Sequence, residues 1–230
     1  MRKIKIMVVF GTRPEAIKMA PICNELKSQN EFFESIVCVT GQHREMLDQV
    51  LNIFNITPDV DLNIMKDGQD LFDITSQILL KMKEVILINS PDIILVHGDT
   101  TTSAAASIAA FYTHTKIGHV EAGLRTFDIK SPFPEEFNRK LTSLIADFHF
   151  TPTHQSRLNL LNENISESRI SITGNTVIDA LHEVLDKINN NSSIYNSFFE
   201  STLGFDLNQK RFILITGHRR ENFGSGFINI

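Results

Sequence analysis

The sequence predicts an α/β protein built on a doubly wound, Rossmann-like parallel sheet. Short β-branched runs alternate with longer segments in which apolar residues recur every three or four positions, a pattern typical of βαβ units. The composition, 42% hydrophobic and 21% charged residues, is that of a folded globular chain. Polar side chains directly follow several predicted strands, and ligands bind at that edge of such sheets.

The elements follow in order from these patterns. Strands are predicted where short apolar runs occur: residues 3–10, 35–40, 92–97, 116–120, 147–151, 169–173 and 211–216. Apolar stripes with helical spacing predict helices over residues 19–26 and 46–54. Further helices are predicted over residues 71–88, the alanine-rich 101–112, 135–145, 154–161 and 177–188. Pro21 lies inside the first helix, where its missing N–H predicts a kink or a break. The polar residues 189–193 predict a loop.

The last predicted strand indicates how the domains are organised. Phe212–Ile215 is fully apolar, which is typical of a strand buried on both faces, yet few residues follow it to cover those faces. The sequence therefore predicts an amino-terminal domain over residues 1–172 and the incomplete start of a second domain over residues 173–230.

Charge and cysteine content narrow the classes of function. The net charge of −5 gives no support for binding nucleic acid through bulk charge. The apolar runs are far shorter than the roughly 20 residues that span a bilayer. With Cys23 and Cys38 as the only cysteines, neither a disulfide framework nor a zinc cluster is predicted. We expect a cytoplasmic protein without membrane attachment, metal or cofactor.

The first candidate site follows the first strand. Gly11 begins a turn into a helix N-terminus, with Arg13 and Lys18 close by in sequence. Such a turn suits an anion such as a phosphate. A glycine turn flanked by surface cations remains the alternative, because the segment matches neither a G-x-G-x-x-G nor a Walker loop.

Three carboxylates form the second candidate site. Asp99 follows the strand ending at residue 97, Glu121 follows the strand ending at residue 120, and Glu135 opens a helix. Each has a structural alternative: Asp99 as a helix N-cap, Glu121 as an ion-pair partner of Arg125, and Glu135 as a first-turn acid that complements the helix dipole. Their shared position at strand and helix ends predicts a site for acid–base chemistry.

A histidine completes the set of candidate residues. His218 follows the last predicted strand, beside two arginines. It could contact a phosphate or transfer a proton, and a solvated loop histidine is the alternative.

Seven segments carry a family resemblance: residues 10–18, 41–44, 96–101, 119–126, 134–136, 173–179 and 216–221. They resemble, in order, the bacterial non-hydrolysing UDP-N-acetylglucosamine 2-epimerases, and the likeness extends from residue 4 to residue 226. The resemblance implies a glycosyltransferase-B-type fold, in which two Rossmann-like domains enclose the active site. Residues 1–172 would be its amino-terminal half, and residues 173–230 the start of its UDP-binding domain.

The resemblance also implies an activity, the interconversion of UDP-N-acetylglucosamine and UDP-N-acetylmannosamine. In this reaction the C2 proton is removed and UDP leaves C1, and both steps are then reversed on the other face. The three carboxylates would be catalytic acids and bases, with Asp99 and Glu121 also contacting substrate. His218 would be a catalytic partner of the departing UDP, and Arg13 and Lys18 would bind substrate.

The resemblance further suggests a homodimer at full length and a role in making cell-surface polysaccharide precursors. Two other functions stay open: a hydrolysing relative that releases free N-acetylmannosamine, and a catalytically inactive fragment or subunit that needs a separately encoded second domain. Because the expected cleft has only one wall in residues 1–230, we expect this chain to be inactive, or nearly so, by itself.

Overall fold

A parallel sheet forms the centre of the computed structural model, which describes residues 2–41, 44–206, 209 and 211–213. Its strands are β1 (Ile4–Phe10), β2 (Phe33–Val39), β3 (Val60–Asp61), β4 (Ile93–His97), β5 (Lys116–Val120), β6 (Phe148–Thr151) and β7 (Ile170–Ile172). Within the described residues the strand order is β3-β2-β1-β4-β5-β6-β7, and every neighbouring pair is parallel. The predicted doubly wound sheet is confirmed, and its order reverses between β1 and β4.

The helices are α1 (Arg13–Ser28), α2 (Arg44–Ile53), α3 (Leu71–Asn89), α4 (Thr101–Tyr112), α5 (Glu135–Ile145), α6 (His154–Asn162), α7 (Val177–Asn190) and α8 (Ser192–Leu203). Several begin at a side chain that accepts a hydrogen bond from the first turn: Asp70 for α3 accepts from Asp73 N–H, at 2.9 Å. Local capping chemistry therefore sets these boundaries, which lie close to the predicted ones.

The core lies against the central strands. Residues 7–10 of β1 are fully buried, and Ile94 and Val96 of β4 are buried beside them. Ile78 and Met82 of α3 pack onto the same cluster. Strands buried on both faces are expected to be nearly continuous in apolar residues, which explains why β1 and β4 were recognisable in the sequence.

The structure differs from the local predictions at three places. Residues 189–193 do not form a loop, since α7 continues to Asn190 and α8 begins at Ser192. A polar composition is compatible with an exposed helix as well as with a loop, so it did not distinguish these two structures. The helix α1 continues through Pro21 without the predicted break, with buried residues on either side of it packed on the sheet, whereas the alternative of a kink stays a prediction. The two-residue strand β3 was not predicted, because so short a run carries no periodicity.

The predicted strand over residues 211–216 lies only partly within the described chain. Residues 211–213 form no strand, and Phe212 and Ile213 are 54% and 88% exposed. The prediction is therefore wrong for these three residues, because a buried strand needs neighbours to cover it. Residues 214–216 lie outside the described residues.

The described chain divides into two compact units, one extending through Glu183 and the other beginning at Val184. The predicted domain boundary, between residues 172 and 173, stays a prediction.

Candidate active site

Asp99 and Glu121 follow neighbouring strand ends at the carboxyl edge of the sheet. Strands β4 and β5 pair in parallel with His97 opposite Val120. The N–H of Gly98 donates to the Val120 carbonyl at 2.9 Å, which continues this pairing to the residue before each carboxylate. The sheet thus places the two acids on adjacent loops, as the sequence predicted.

Glu121 lies in a polar pocket formed by residues distant in sequence. The ammonium of Lys18, on α1, donates to both carboxylate oxygens, at 2.8 and 2.6 Å. The side-chain amide of Asn175, in the loop after β7, donates to Oε2 at 2.9 Å. The backbone of Glu121 has a φ of 60°, a left-handed conformation that is uncommon without glycine. The structure therefore brings two predicted site residues, Lys18 and Glu121, into direct contact.

The charges around Glu121 determine its ionisation. Burial raises its pKa, but the contacts with His97 and Lys18 outweigh burial and lower the pKa to about 2. At neutral pH this carboxyl group is therefore firmly an anion. The alternative ion pair with Arg125 is not formed, since Arg125 donates to both oxygens of Glu163, at 2.8 and 2.7 Å.

Asp99 is not the N-cap of α4. That position is taken by Thr100, whose hydroxyl accepts from Ser103 N–H at 3.0 Å. The Asp99 carboxylate instead forms an ion pair with the guanidinium of Arg139 on α5. The side chain of Asn138 donates to the Asp99 carbonyl at 2.9 Å, so α5 fixes both the backbone and the charge of this residue.

The N-terminal turn of α5 supplies the third carboxylate. Glu135 is the first residue of α5, and its Oε2 is buried with no hydrogen-bond partner among the described residues. Its neighbour Glu136 is fully buried and accepts from the N–H groups of Thr126 and Phe127, both at 3.2 Å. Glu136 is thus committed to holding a loop. Glu135 has an oxygen that an incoming ligand could satisfy.

Sequence reasoning missed Glu15, which is the most highly connected carboxylate at this edge. It is 1% exposed, and its Oε2 accepts from the N–H of Gly11 at 3.0 Å and from the N–H and hydroxyl of Thr12 at 2.9 and 2.8 Å. Its Oε1 accepts from the hydroxyls of Thr100 and Ser103 at 2.6 and 3.2 Å. Glu15 therefore ties the loop after β1 to the loop after β4.

The hydrogen bonds to Glu15 occupy the turn after β1 that was predicted to bind a phosphate. The N–H groups of Gly11 and Thr12 already bind a carboxylate, so they are not available to a phosphate in this arrangement. A Cβ at Gly11 would lie 1.9 Å from the hydroxyl of Thr40, which shows that glycine is needed here for close packing. Arg13 lies exposed at the first position of α1.

A buried histidine lies behind the two carboxylates. His119 is fully buried, and burial lowers its pKa to about 3, so the imidazole is neutral. Its Nε2 lies 2.7 Å from the Gly98 carbonyl, which requires that nitrogen to carry the proton and donate it. The hydrogen bond fixes the residue immediately before Asp99.

The remaining predicted site residue, His218, lies outside the described residues. Glu15, Asn138, Arg139 and Asn175 were not predicted as site residues. The last three of these each contact one of the predicted acidic residues, Asp99 or Glu121, directly. Their sequence neighbours carry recognisable motifs, but nothing in their local spacing indicates which distant carboxylate each would meet.

The described residues contain no group of three or more histidine, cysteine, aspartate or glutamate side chains placed to hold a metal ion. No helix within the described ranges combines the length and apolar character needed to cross a bilayer. The side chains that meet at this edge are cations, carboxylates and amides, a set suited to binding an anion and moving protons.

Comparison with known proteins shows the family to which this chain is similar. The profile of the family described as UDP-N-acetylglucosamine 2-epimerase matches residues 24–230. The UDP-N-acetylglucosamine 2-epimerase of Escherichia coli strain K12 is 56% identical over 227 residues, which are 99% of this chain and 60% of that relative. The Campylobacter jejuni enzyme of the same name is 55% identical over 229 residues, covering 98% and 59%.

A solved structure agrees with the sequence comparison. The UDP-GlcNAc 2-epimerase of Neisseria meningitidis, bound to UDP-GlcNAc, superposes with a TM-score of 0.90 and 52% identity over 99% of this chain and 60% of that one. The chain thus spans about 60% of the length of the relatives that it matches. With its sheet, its ordered motifs and its carboxylate edge all in agreement, the chain belongs to the UDP-N-acetylglucosamine 2-epimerase family.

Proposed function

We propose that this protein interconverts UDP-N-acetylglucosamine and UDP-N-acetylmannosamine by eliminating and re-adding UDP. The observation that carries the proposal is the match, over nearly the whole chain, to a 52% identical epimerase structure bound to UDP-GlcNAc. The candidate site supports it, because its carboxylates and Lys18 belong to the motifs on which the family resemblance rests.

Each step of the proposed reaction requires a particular kind of side chain. The proton on C2 is only weakly acidic, so its removal requires a positioned base, worth roughly 10²–10⁴-fold in rate. Asp99, Glu121 and Glu135 are proposed as the proton-transferring and substrate-contacting carboxylates. The departing diphosphate requires positive charge, for which Lys18 and Arg13 are proposed.

His218 is proposed as a further catalytic and substrate-binding residue that accompanies the departing UDP. The sequence segment that follows the last predicted strand, Gly217–Glu221, supports this role by supplying an imidazole next to two guanidinium groups. Groups of this kind stabilise negative charge that develops on a leaving diphosphate.

Assembly and location are also proposed. A homodimer at full length is supported by apolar side chains of α3 that remain exposed, Phe72, Leu80, Leu87 and Ile88, since a partner can cover such a surface. We place the protein in the cytoplasm, where nucleotide sugars for cell-surface polysaccharides are made. Its two cysteines, both free and buried, are consistent with a reducing compartment.

The test is conversion of UDP-N-acetylglucosamine in deuterated water. The chain is assayed alone and after fusion to the part of the Escherichia coli relative that lies beyond the aligned region. We expect UDP-N-acetylmannosamine that carries deuterium at C2, from the fused form at least. Free N-acetylmannosamine would identify the hydrolysing reaction instead, and absence of turnover in both forms would refute the proposal.

Variants then test the site. Asp99→Asn, Glu121→Gln and Glu135→Gln keep the side-chain shape and remove a proton acceptor, so each is expected to lower turnover by at least about 100-fold. Glu25→Gln, on the exposed face of α1, is the matched control and should keep wild-type rates. Near-normal turnover in all three site variants would remove these carboxylates from the mechanism.

A further inference from the structure

His97 is a buried polar side chain that the proposed mechanism leaves unused. It is the last residue of β4 and is 4% exposed. Its Nε2 makes no hydrogen bond within the described part of the chain. Its acidic neighbour is Glu121, whose Oε2 lies 3.6 Å away, slightly beyond hydrogen-bond distance. A buried nitrogen without a hydrogen-bond partner is rare in native structures, so the groups that His97 faces need an explanation.

The titratable groups around His97 come from two neighbouring elements. Glu121 and the neutral His119 belong to β5 and its end, and Lys18 extends from α1. Of the two basic groups on Glu121, Lys18 is the more exposed, with 24% of its side chain accessible against 5% for His97. Lys18 is also the longer and more flexible side chain, whereas an imidazole at a strand end is fixed by packing.

A bound diphosphate would compete with Glu121 for Lys18. The lysine ammonium can turn towards the stronger anion, and Glu121 would then lose the two hydrogen bonds that Lys18 donates. Asn175 is neutral and can supply a hydrogen bond but no charge. His97 is the remaining basic group that faces the same oxygen among the described contacts of Glu121.

We propose that His97 is a positioning residue for Glu121, holding this carboxylate in place as an anion when Lys18 turns to a bound diphosphate. The consequence for turnover rests on the proposed function, but the coupling between His97 and Glu121 does not. A movement of about half an ångström would close the contact to hydrogen-bond distance. The unpartnered nitrogen is then explained as one that is satisfied in a second state of the site.

The coupling can be measured on the chain without any ligand, because Lys18→Met reproduces the loss of the lysine. Glutamate carboxyl carbons are isotopically labelled, the Glu121 signal is identified by its loss in Glu121→Gln, and its titration is followed by NMR. In Lys18→Met we expect the pKa of Glu121 to rise above its present value of about 2 but to stay below its ordinary 4.5, because His97 remains.

Adding His97→Phe to Lys18→Met should raise the proton affinity of Glu121 by a further factor of about 10. Adding His97→Gln instead should recover part of the difference, because glutamine keeps a hydrogen-bond donor that can face Glu121. His114→Gln, in the turn before β5, is the matched control and should change nothing. If the Phe, Gln and parent forms titrate together while folded, His97 does not position Glu121 and the inference is wrong.

Turnover provides a separate test. In an active form of the protein, His97→Phe should move the acidic limb of the kcat profile to higher pH, since Glu121 would then be protonated at higher pH. His97→Gln should move it less. A wild-type protein that shows no epimerisation would refute the proposed function, whereas the titration would still decide the role of His97.

Discussion

Replacing Glu15 by glutamine should destabilise the fold much more than a conservative substitution normally does. The carboxylate is 1% exposed and accepts hydrogen bonds from five donors, four on the loops after β1 and β4 and the fifth, the Ser103 hydroxyl, in the first turn of α4. Glutamine has nearly the same shape, so packing is preserved. The substitution therefore isolates the negative charge and the second acceptor oxygen.

The expected magnitude follows from the geometry. Three donors converge on Oε2, at 2.8 to 3.0 Å, and a glutamine carbonyl placed there keeps these contacts but loses the charge. Hydrogen bonds to charged groups are about twice as strong as neutral ones, which contribute roughly 1 kcal/mol each. The loss is then about 3 kcal/mol. The amide N–H₂ would in addition face the hydroxyls of Thr100 and Ser103, which must reorient to accept from it.

Urea unfolding followed by far-UV circular dichroism measures this difference in the free energy of unfolding. Glu25→Gln is the control, because Glu25 lies exposed on the same helix and pairs with Gln29 at 3.0 Å. The control should change stability by less than about 0.5 kcal/mol. If Glu15→Gln costs no more than Glu25→Gln, the hydrogen bonds at this edge do not hold the two loops together, and the reasoning is refuted.

Three further predictions concern stability. The pKa of Glu121 is lowered to about 2, so the stability that its carboxylate contributes is complete above the unfolded value of 4.5 and is lost as pH falls towards 2. Acid titrations followed by circular dichroism should therefore show that wild type loses more stability over this range than Glu121→Gln. Arg125→Met should cost about 2 kcal/mol in urea unfolding, since it leaves Glu163 without its partner, and an unchanged midpoint would contradict this. Gly11→Ala, whose Cβ would overlap a threonine hydroxyl, should lower the melting temperature more than Gly68→Ala, which has open space and only the backbone strain of a φ of 72°. Equal losses would show that Gly11 is not required by packing.

The elements at the centre of the sheet could be predicted because their signals are local. Buried strands such as β1 and β4 are nearly continuous apolar runs, and helices such as α2 repeat their apolar residues on the buried face. Once the parallel strands are assigned, the loops that follow them are known to lie at the carboxyl edge of the sheet. This is why Asp99 and Glu121 could be expected at the ligand-binding edge before any contact was known.

The partners of those carboxylates could not be predicted in the same way. Glu121 was a reasonable partner for Arg125 four residues away, yet it binds Lys18, which is 103 positions distant. Asp99 was a reasonable cap for α4, yet it pairs with Arg139 of α5 and leaves the cap to Thr100. Both outcomes depend on which strand ends lie side by side and on which side chains reach across them.

The sequence by itself thus determined the class of fold, the ends of the central strands and the family of this protein, because periodicity, turn residues and ordered motifs are properties of short segments. Only the tertiary structure decided that Glu15 joins two loops, that Glu121 is an anion held by Lys18, and that His97 faces it without a hydrogen bond. The physical reason is that charge pairing and burial depend on strand order, which brings β1, β4 and β5 together from distant parts of the chain.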